Sequence, residues 1–259
     1  MGGSLESLVI SHFYNEAYLL PWWLDHHVRL FDHGILINYA STDSSVEICK
    51  QRAPHWKVID SVNPDFDAYG CDKEVMEWEE TFDGYKMALN TTEFLLVADN
   101  KLETLCQELE SAAHDRGRSA IWVPAVAMVD MEEKNPSYSD SLFDVCHYGY
   151  DASVNPYSRN RLFHNHSRGD YSLGRHPRNH FVPDSVLSKT ALLSWFCFAP
   201  WNENTIQRKL QIKKRISESD KKAGIGVQHY IEREELIIHR KCGTQSARDL
   251  RDKLKAYER

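Results

Sequence analysis

The sequence lacks any long apolar run. Although 42% of its 259 residues are hydrophobic, no stretch approaches the ~18–20 residues of a membrane-crossing helix. Its six cysteines show no Cys-x-x-Cys spacing, which argues against a zinc knuckle or a disulfide framework. A formal net charge of -7 disfavours broad nucleic-acid binding. The opening Met1-Gly2-Gly3-Ser4 is typical of a cloning remnant and is set aside. We expect a cytoplasmic enzyme, with peripheral contact to a membrane surface as an open alternative.

The first sixty residues alternate between apolar strands and helices. Three strands are predicted, at residues 8–13, 34–38 and 56–60, and two helices, at 19–30 and 46–52. This alternation predicts βαβ units and a mostly parallel sheet flanked by helices, hence an α/β fold. No glycine occurs at 11–18, so the Gly-rich phosphate loop expected of a nucleotidyltransferase is missing after the first strand.

An apolar run from Phe94 to Ala98 ends on Asp99. Such a run predicts a strand buried on both faces, and ligands of open α/β sheets bind beyond the carboxyl ends of strands. Asp99 is therefore a candidate to hold a divalent cation or a hydroxyl, although an aspartate there can also simply start a turn. Lys101 occupies the position where a second aspartate would complete an Asp-x-Asp clamp.

Several motifs in order resemble the opening of family-2-like glycosyltransferases with the GT-A fold. They are Phe13-Tyr14-Asn15-Glu16, Trp23-Leu24-Asp25-His26-His27, His33-Gly34 and Asn38-Tyr39-Ala40-Ser41-Thr42-Asp43. Residues 210–229 are similar to the C-terminal part of that group, so the resemblance spans about residues 8–240. It implies a GT-A-like, mostly parallel nucleotide-binding sheet with a helical C-terminal segment.

The resemblance also implies roles for individual residues. Those assigned to the nucleotide are Asn15, Glu16, Asn38, Asp43 and Arg175. Asp99 matches the first aspartate of the metal motif, and His176 lies in a Gly-x-His element that the family places beside the donor phosphates or metal. The implied cofactor is Mn2+ or Mg2+, whose ligands are oxygens. The lysine at position 101 weakens this expectation without excluding it.

Residues 159–180 contain a dense set of Arg and His side chains. Arginine forks bind phosphate in bidentate fashion, so this segment suits a pyrophosphate or an anionic sugar. A zinc site is the competing interpretation, with His164-x-His166 and His176-x-x-x-His180 as ligands, but Gly and Pro indicate turns there and no Cys completes the set. Most of these histidines are expected to be ordinary surface residues. Asp170, between these turns, is the predicted catalytic base.

The C-terminal third is predicted to be helical. Residues 206–216 have helical apolar spacing among cations, which form either a solvated face or a basic flank that closes over a diphosphate or faces anionic lipid. A loop-rich segment at 130–160 is expected to shape the acceptor side or to be a plain loop. We expect one domain at 5–240, followed by a charged helical tail at 241–259.

The resulting hypothesis is an inverting glycosyltransferase of polysaccharide biosynthesis. It would move a sugar from a nucleotide-diphosphate donor to a hydroxyl of a glycan acceptor. The alternative is a non-catalytic module of the same fold that binds a nucleotide-sugar or a glycan, favoured by the missing second aspartate.

Overall fold

The computed structural model describes residues 6–116, 120–153, 159–169, 171–176, 187–226 and 229–257, except for the side chains of 113–116. The strands are β1 (Ser7–Phe13), β2 (His33–Asn38), β3 (Lys57–Asp60), β4 (Tyr85–Ala88), β5 (Glu93–Val97), β6 (Ala120–Val123), β7 (Ala125–Val129), β8 (Tyr148–Asp151), β9 (Arg161–His164), β10 (Ala191–Phe198) and β11 (Arg248–Asp249). The helices are α1 (Leu20–His27), α2 (Ser45–Arg52), α3 (Ala68–Glu79), α4 (Leu102–Arg116), α5 (Leu142–Val145), α6 (Glu203–Gln211), α7 (Glu218–Ala223), α8 (Arg233–Ser246) and α9 (Arg251–Lys255).

The first sheet has the strand order β3-β2-β1-β4-β9-β6. Its first four strands are parallel, whereas β9 runs antiparallel to both β4 and β6. The α/β fold, the three early strands and the two early helices predicted from the sequence are confirmed. Because β1 to β4 are parallel, their carboxyl ends meet at one edge of this sheet, where ligands of such folds bind.

The second sheet has the order β11-β8-β7-β10-β5 and is mostly antiparallel. The predicted strand at 94–98 corresponds to β5, which is buried along its whole length but pairs antiparallel with β10. The strand that lies beside β1 is instead β4, which the sequence analysis did not identify. Its apolar pattern is interrupted by Lys86, which is buried and donates through Nζ to the carbonyl of His166 at 2.6 Å.

Helix α1 buries the face that its apolar spacing predicted, including Leu20, Trp23 and Leu24. Pro21 lies in its first turn, where a missing backbone N–H costs nothing. The indole of Trp23 donates to the carbonyl of Glu93 at 2.9 Å. This contact fixes α1 against the residue that starts β5, next to the edge where the parallel strands end.

The C-terminal third is helical, but the bounds of its elements differ from the predicted ones. The predicted helix at 206–216 is α6 followed by a 3-10 turn at Ile212–Arg215. The predicted boundary at residue 240 falls inside α8, and the segment beyond is part of the fold. β11 pairs with β8, and Leu250 and Leu254 are buried in the main core, which holds the segment in place. Within the described residues, the helices are all too short or too polar to cross a membrane.

Candidate functional site

The loops after β1 and β2 interlock through side-chain hydrogen bonds. The Oδ1 of Asn15 accepts from the backbone N–H of Thr42 at 2.7 Å, and the N–H of Asn15 donates to Ser41 Oγ at 3.0 Å. Asn15 has a positive φ of 49°, a conformation that asparagine tolerates better than most residues. Asp43 accepts from the N–H groups of Ala17 and Ser45 at 3.1 and 3.0 Å. Both residues therefore shape the edge by holding the two loops together.

Asn38 connects the ends of β2 and β3. Its Nδ2 donates to Asp60 Oδ1 at 2.8 Å, and its Oδ1 accepts from the N–H of Ser41 at 2.9 Å. Asn38 is buried, whereas Asp60 is exposed at the carboxyl end of β3. Both functions of the Asn38 amide are engaged, and its Nδ2 holds one oxygen of the exposed Asp60 carboxylate. Sequence analysis missed Asp60.

Glu16 lies buried at the carboxyl end of β1. Its Oε1 accepts from Arg208 Nη1 of α6 at 3.1 Å, while its Oε2 is buried without a hydrogen-bond partner. Burial raises the pKa of Glu16 against the opposing effects of Arg208 and of a hydrogen bond from Thr91. Thr91 follows β4, so Glu16 joins the ends of the two central parallel strands to α6.

Arg175 lies at the carboxyl end of β4. Its guanidinium donates to the side-chain oxygen of Asn90, and its Nη1 is 3.5 Å from Asp72 Oδ1 of α3. Asp72 Oδ2 also accepts from the N–H of Gly174 at 2.8 Å. Burial raises the pKa of Asp72, although Arg175 opposes this shift. The predicted nucleotide residues Arg175 and Glu16 thus interact with two adjacent residues of the segment after β4, Asn90 and Thr91.

His176 is buried between two arginines. Its Nε2 lies 2.9 Å from Arg159 Nη1 and its Nδ1 lies 3.1 Å from Arg161 Nη1. A neutral imidazole has one acceptor nitrogen and one donor nitrogen, so it can accept from only one of these two guanidinium groups. This environment presents cations to the ring, which is unlike the surroundings of a histidine that ligates a metal.

Two other predicted residues are not brought to this edge. Asp99 is exposed, and its neighbours Asn100 and Lys101 line a cavity with Asp32 and His55, which precede β2 and β3. These neighbours place Asp99 near the amino-terminal edge of the parallel strands. Asp99 follows β5, which belongs to the other sheet. The structure does not bring it together with His176. Asp170, the predicted base, lies outside the described residues.

His164 corrects another expectation. It was expected at the surface, but it is fully buried, with Nε2 at 3.2 Å from Glu79 Oε1 and at 3.3 Å from the hydroxyl of Tyr171. Tyr171 and the N–H of Gly169 also donate to Glu79, at 2.5 and 2.6 Å. This network holds the described chain after β9 against α3, so His164 is structural.

Two buried carboxylates near the edge, Glu93 and Asp72, are engaged by arginines and do not fit a divalent cation. Both oxygens of Glu93 accept from Arg161, at 2.8 and 2.5 Å, and Asp72 is occupied by Arg175 and Gly174. The residues that follow β4 are Asn90, Thr91 and Thr92, which are neutral. Within the described residues, no group of three His, Cys, Asp or Glu side chains could hold a metal ion. Mn2+ and Mg2+ favour carboxylate oxygens, and those of Glu93 and Asp72 are already engaged by the arginines.

Sequence analysis missed Glu93 and Asp72 as partners of the arginines. Glu93 opens an apolar run and Asp72 lies in an unremarkable helical stretch, so neither is conspicuous alone. An arginine inside a short apolar strand, as at Arg161, does indicate a buried carboxylate partner, because lone buried charges are rare.

No protein-family model and no curated protein matches the chain. Solved glycosyltransferases do. S. aureus TarS 1-349 in complex with UDP is 14% identical, with 54% of this chain and 39% of that chain covered and a TM-score of 0.37. The mannosyltransferase PcManGT from Pyrobaculum calidifontis, in complex with GDP-Man and Mn2+, is 12% identical, with 82% and 63% covered and a TM-score of 0.43. Glucosyl-3-phosphoglycerate synthase from Mycobacterium tuberculosis, in complex with Mn2+, UDP and glucosyl-3-phosphoglycerate, is 12% identical, with 48% and 44% covered and a TM-score of 0.32.

The chain thus spans well under two thirds of the TarS chain in that match. The matches are a partial likeness in fold to solved glycosyltransferases, all with TM-scores below 0.5. At these identities the similarity concerns the fold alone.

Proposed function

We propose that the chain is a glycosyltransferase that moves a sugar from a nucleotide-diphosphate donor to a hydroxyl of a glycan acceptor, with inversion. The observation that carries this proposal is the composition of the edge where β1 to β4 end. An exposed carboxylate, Asp60, lies at one end of it, and arginines crowd around His176 at the other. A nucleoside diphosphate has the complementary layout, with N–H and hydroxyl donors at one end and negative charge at the other.

We assign a different role to each of the residues along this edge. Asp60, held by Asn38, accepts from a donor group of the base or the ribose. Asn15 and Asp43 keep the two neighbouring loops in register, and Glu16 and Arg175 border the diphosphate. This preorganisation lowers the cost of orienting the donor.

The reaction itself needs a base and charge stabilisation. The acceptor oxygen forms a bond to the anomeric carbon, while the bond from that carbon to the diphosphate oxygen breaks and its electron pair leaves with the nucleoside diphosphate. The hydroxyl proton passes to a carboxylate, for which Asp170 remains our proposal. Cations around the diphosphate stabilise its developing charge.

A thermal-shift panel tests donor binding. UDP, GDP, CDP and dTDP, each with EDTA and with Mn2+, should include one nucleotide that raises the melting temperature, because a ligand that binds only the folded state stabilises it. Donor turnover should then fall in Asp170→Asn while nucleotide binding survives. The absence of a shift with all four nucleotides would contradict the proposal.

A non-catalytic binding module is the second candidate. The neutral Asn90-Thr91-Thr92 stretch after β4 favours it, because metal-dependent transfer would use carboxylates there. If the chain binds a nucleotide-sugar but does not turn it over, the result would support the non-catalytic binding module.

A further inference from the structure

Three cations act together on His229, and one of them, Arg208, contacts Glu16 just after β1. Arg159 precedes β9, while Arg208 and Lys209 are adjacent on α6, and we refer to these three residues as the cation cluster. All three are close enough to His229 to lower its pKa, which burial and their charges bring to about 4. His229 therefore stays neutral at physiological pH and adds no charge of its own.

The cluster has little compensating negative charge. Arg208 pairs with Glu16, but its Nε is buried without a partner. In the described part of the chain no acceptor reaches Lys209 Nζ, which lies 5.0 Å from the centre of the Phe198 ring. Arg159 stacks over Trp195 at 4.9 Å and directs Nη1 at His176. These contacts orient the cations without neutralising them.

The pKa of Lys209 is affected first by burial and then by the neighbouring charge of Arg208. Burial and the neighbouring Arg208 lower the pKa of Lys209 to about 8, with Glu16 opposing the shift. Like charges held together at a half-buried site are unfavourable unless an anion joins them. A structure that keeps three cations in this arrangement is therefore suited to a multivalent anion.

The cluster adjoins the edge described above. Arg208 contacts Glu16 directly after β1, and Gln211, on the same helix, donates to the carbonyls of Tyr14 and Asn15 at 3.3 and 3.0 Å. Arg159 reaches the other side of the edge through His176. A ligand lying across the ends of β1 and β4 would place its central portion against the cluster.

We infer that the cation cluster receives the diphosphate of the donor and neutralises it without a divalent cation. This inference rests on the proposed function for the identity of the anion. It follows from two observations together: the cations have little compensating charge, and the two buried carboxylates beside Arg175 and His176, Glu93 and Asp72, are committed to Arg161 and Arg175. Guanidinium forks and an ammonium are established partners of phosphate oxygens.

Calorimetry with inorganic pyrophosphate and with UDP, both in EDTA, tests the inference. Wild type should bind pyrophosphate without metal. Lys209→Met should weaken pyrophosphate binding about tenfold or more, in line with the loss of one charge-assisted contact. Lys214→Met is the matched control, because it removes the same charge from an exposed position five residues further on and should leave the affinity unchanged. Melting temperatures of both variants establish that they are folded.

Two outcomes would overturn the inference: pyrophosphate that binds only when Mn2+ is present, or equal affinity in Lys209→Met and wild type. Asp99→Ala should leave binding intact with and without Mn2+. Failure of the proposed function looks different. If pyrophosphate binds in EDTA but none of the four nucleoside diphosphates does so with or without metal, the anion site stands and the donor assignment falls.

Discussion

Arg161 forms a bidentate ion pair with Glu93, in which Nε donates to Oε2 at 2.8 Å and Nη2 donates to Oε1 at 2.5 Å. Both side chains are 2% exposed. Arg161 opens β9 and Glu93 opens β5, so the pair joins the two sheets at the edge where the candidate site lies. The third nitrogen of Arg161, Nη1, donates to the carbonyls of Gly174 and Arg175 at 3.2 and 3.1 Å. The pair therefore positions the segment that carries Arg175 and His176.

Arg161→Met should destabilise the fold strongly. The arginine holds the pKa of Glu93 below its usual value despite burial. Its removal leaves a buried carboxylate with hydrogen bonds from Asn90 but without its counter-ion, at a cost of about 3–5 kcal/mol. Arg168→Met is the control, because Arg168 pairs with Glu80 at an exposed position and such pairs contribute about 0–1 kcal/mol. Urea unfolding measures both. Similar losses in the two variants would contradict the structural role of the buried pair.

Asp60→Asn should weaken nucleoside binding. If the exposed carboxylate accepts from the base or the ribose, its replacement loses a charge-assisted hydrogen bond of about 1.5–3 kcal/mol, or roughly tenfold or more in affinity. Asp65→Asn changes the same group at an exposed site that makes no hydrogen bond with described residues, and it should bind normally. Calorimetry with the nucleoside that the thermal-shift panel selects compares them. Unchanged affinity in Asp60→Asn would remove the end of β3 from the site.

Three histidines, the buried His27 and the half-buried His12 and His26, make the fold sensitive to acid. Burial lowers the pKa of His12 despite its contact with Glu74, that of His26 to about 4, and that of His27 well below 6.5. The unfolded chain then binds more protons than the folded chain below its ordinary histidine pKa of 6.5. Stability is therefore fully present above that pH and falls as the pH decreases, by up to about 1.4 kcal/mol per unit for each residue.

Urea unfolding between about pH 7 and about pH 5 measures this loss. His26→Gln should reduce the slope with pH, because one titrating group is removed. His55→Gln is the control, since His55 is exposed and should leave the slope unchanged. Equal slopes in wild type and His26→Gln would contradict the assigned cause.

The early strands and helices could be predicted from the sequence because the spacing of apolar residues and the capping residues define each of them locally. Pro21 and the spacing of Trp23 and Leu24 define α1 from local information alone. β4 escaped prediction because the buried Lys86 breaks its apolar run, and its burial depends on a distant carbonyl. Position in the parallel sheet is likewise a property of pairing, so Asp99 could not be excluded from the edge by local pattern.

The candidate site was predictable only in part for the same reason. Asn15, Glu16, Asn38 and Asp43 follow predicted strands, so their place at the edge follows from topology. The cation cluster combines residues separated by about fifty positions, and α6 reads locally as a helix with a solvated basic face. The contacts of Arg208 with Glu16 and of Lys209 with the Phe198 ring show that part of this face turns inward.

Lys209 should make diphosphate binding depend on pH near 8. The pKa of Lys209 is lowered to about 8. A bound anion favours the ammonium form, so binding raises that pKa. Near this pH, where Lys209 is partly neutral before binding, the complex therefore takes up a proton. The other groups that act on it are Arg208, Cys197, Glu16 and Arg159. Of these, Cys197 has a pKa raised to about 11, and the nearby His229 is already neutral.

Calorimetry of pyrophosphate in two buffers of different ionisation enthalpy measures that proton directly. At about pH 8 wild type should take up a fraction of one proton on binding, and its affinity should fall as the pH rises beyond that value, because the fraction of lysine already charged declines. Lys209→Arg keeps the charge but does not titrate in this range. It should bind with no proton uptake from this position and with a flatter pH profile. Equal uptake in the two proteins would assign the proton to another group and remove Lys209 from contact with the anion.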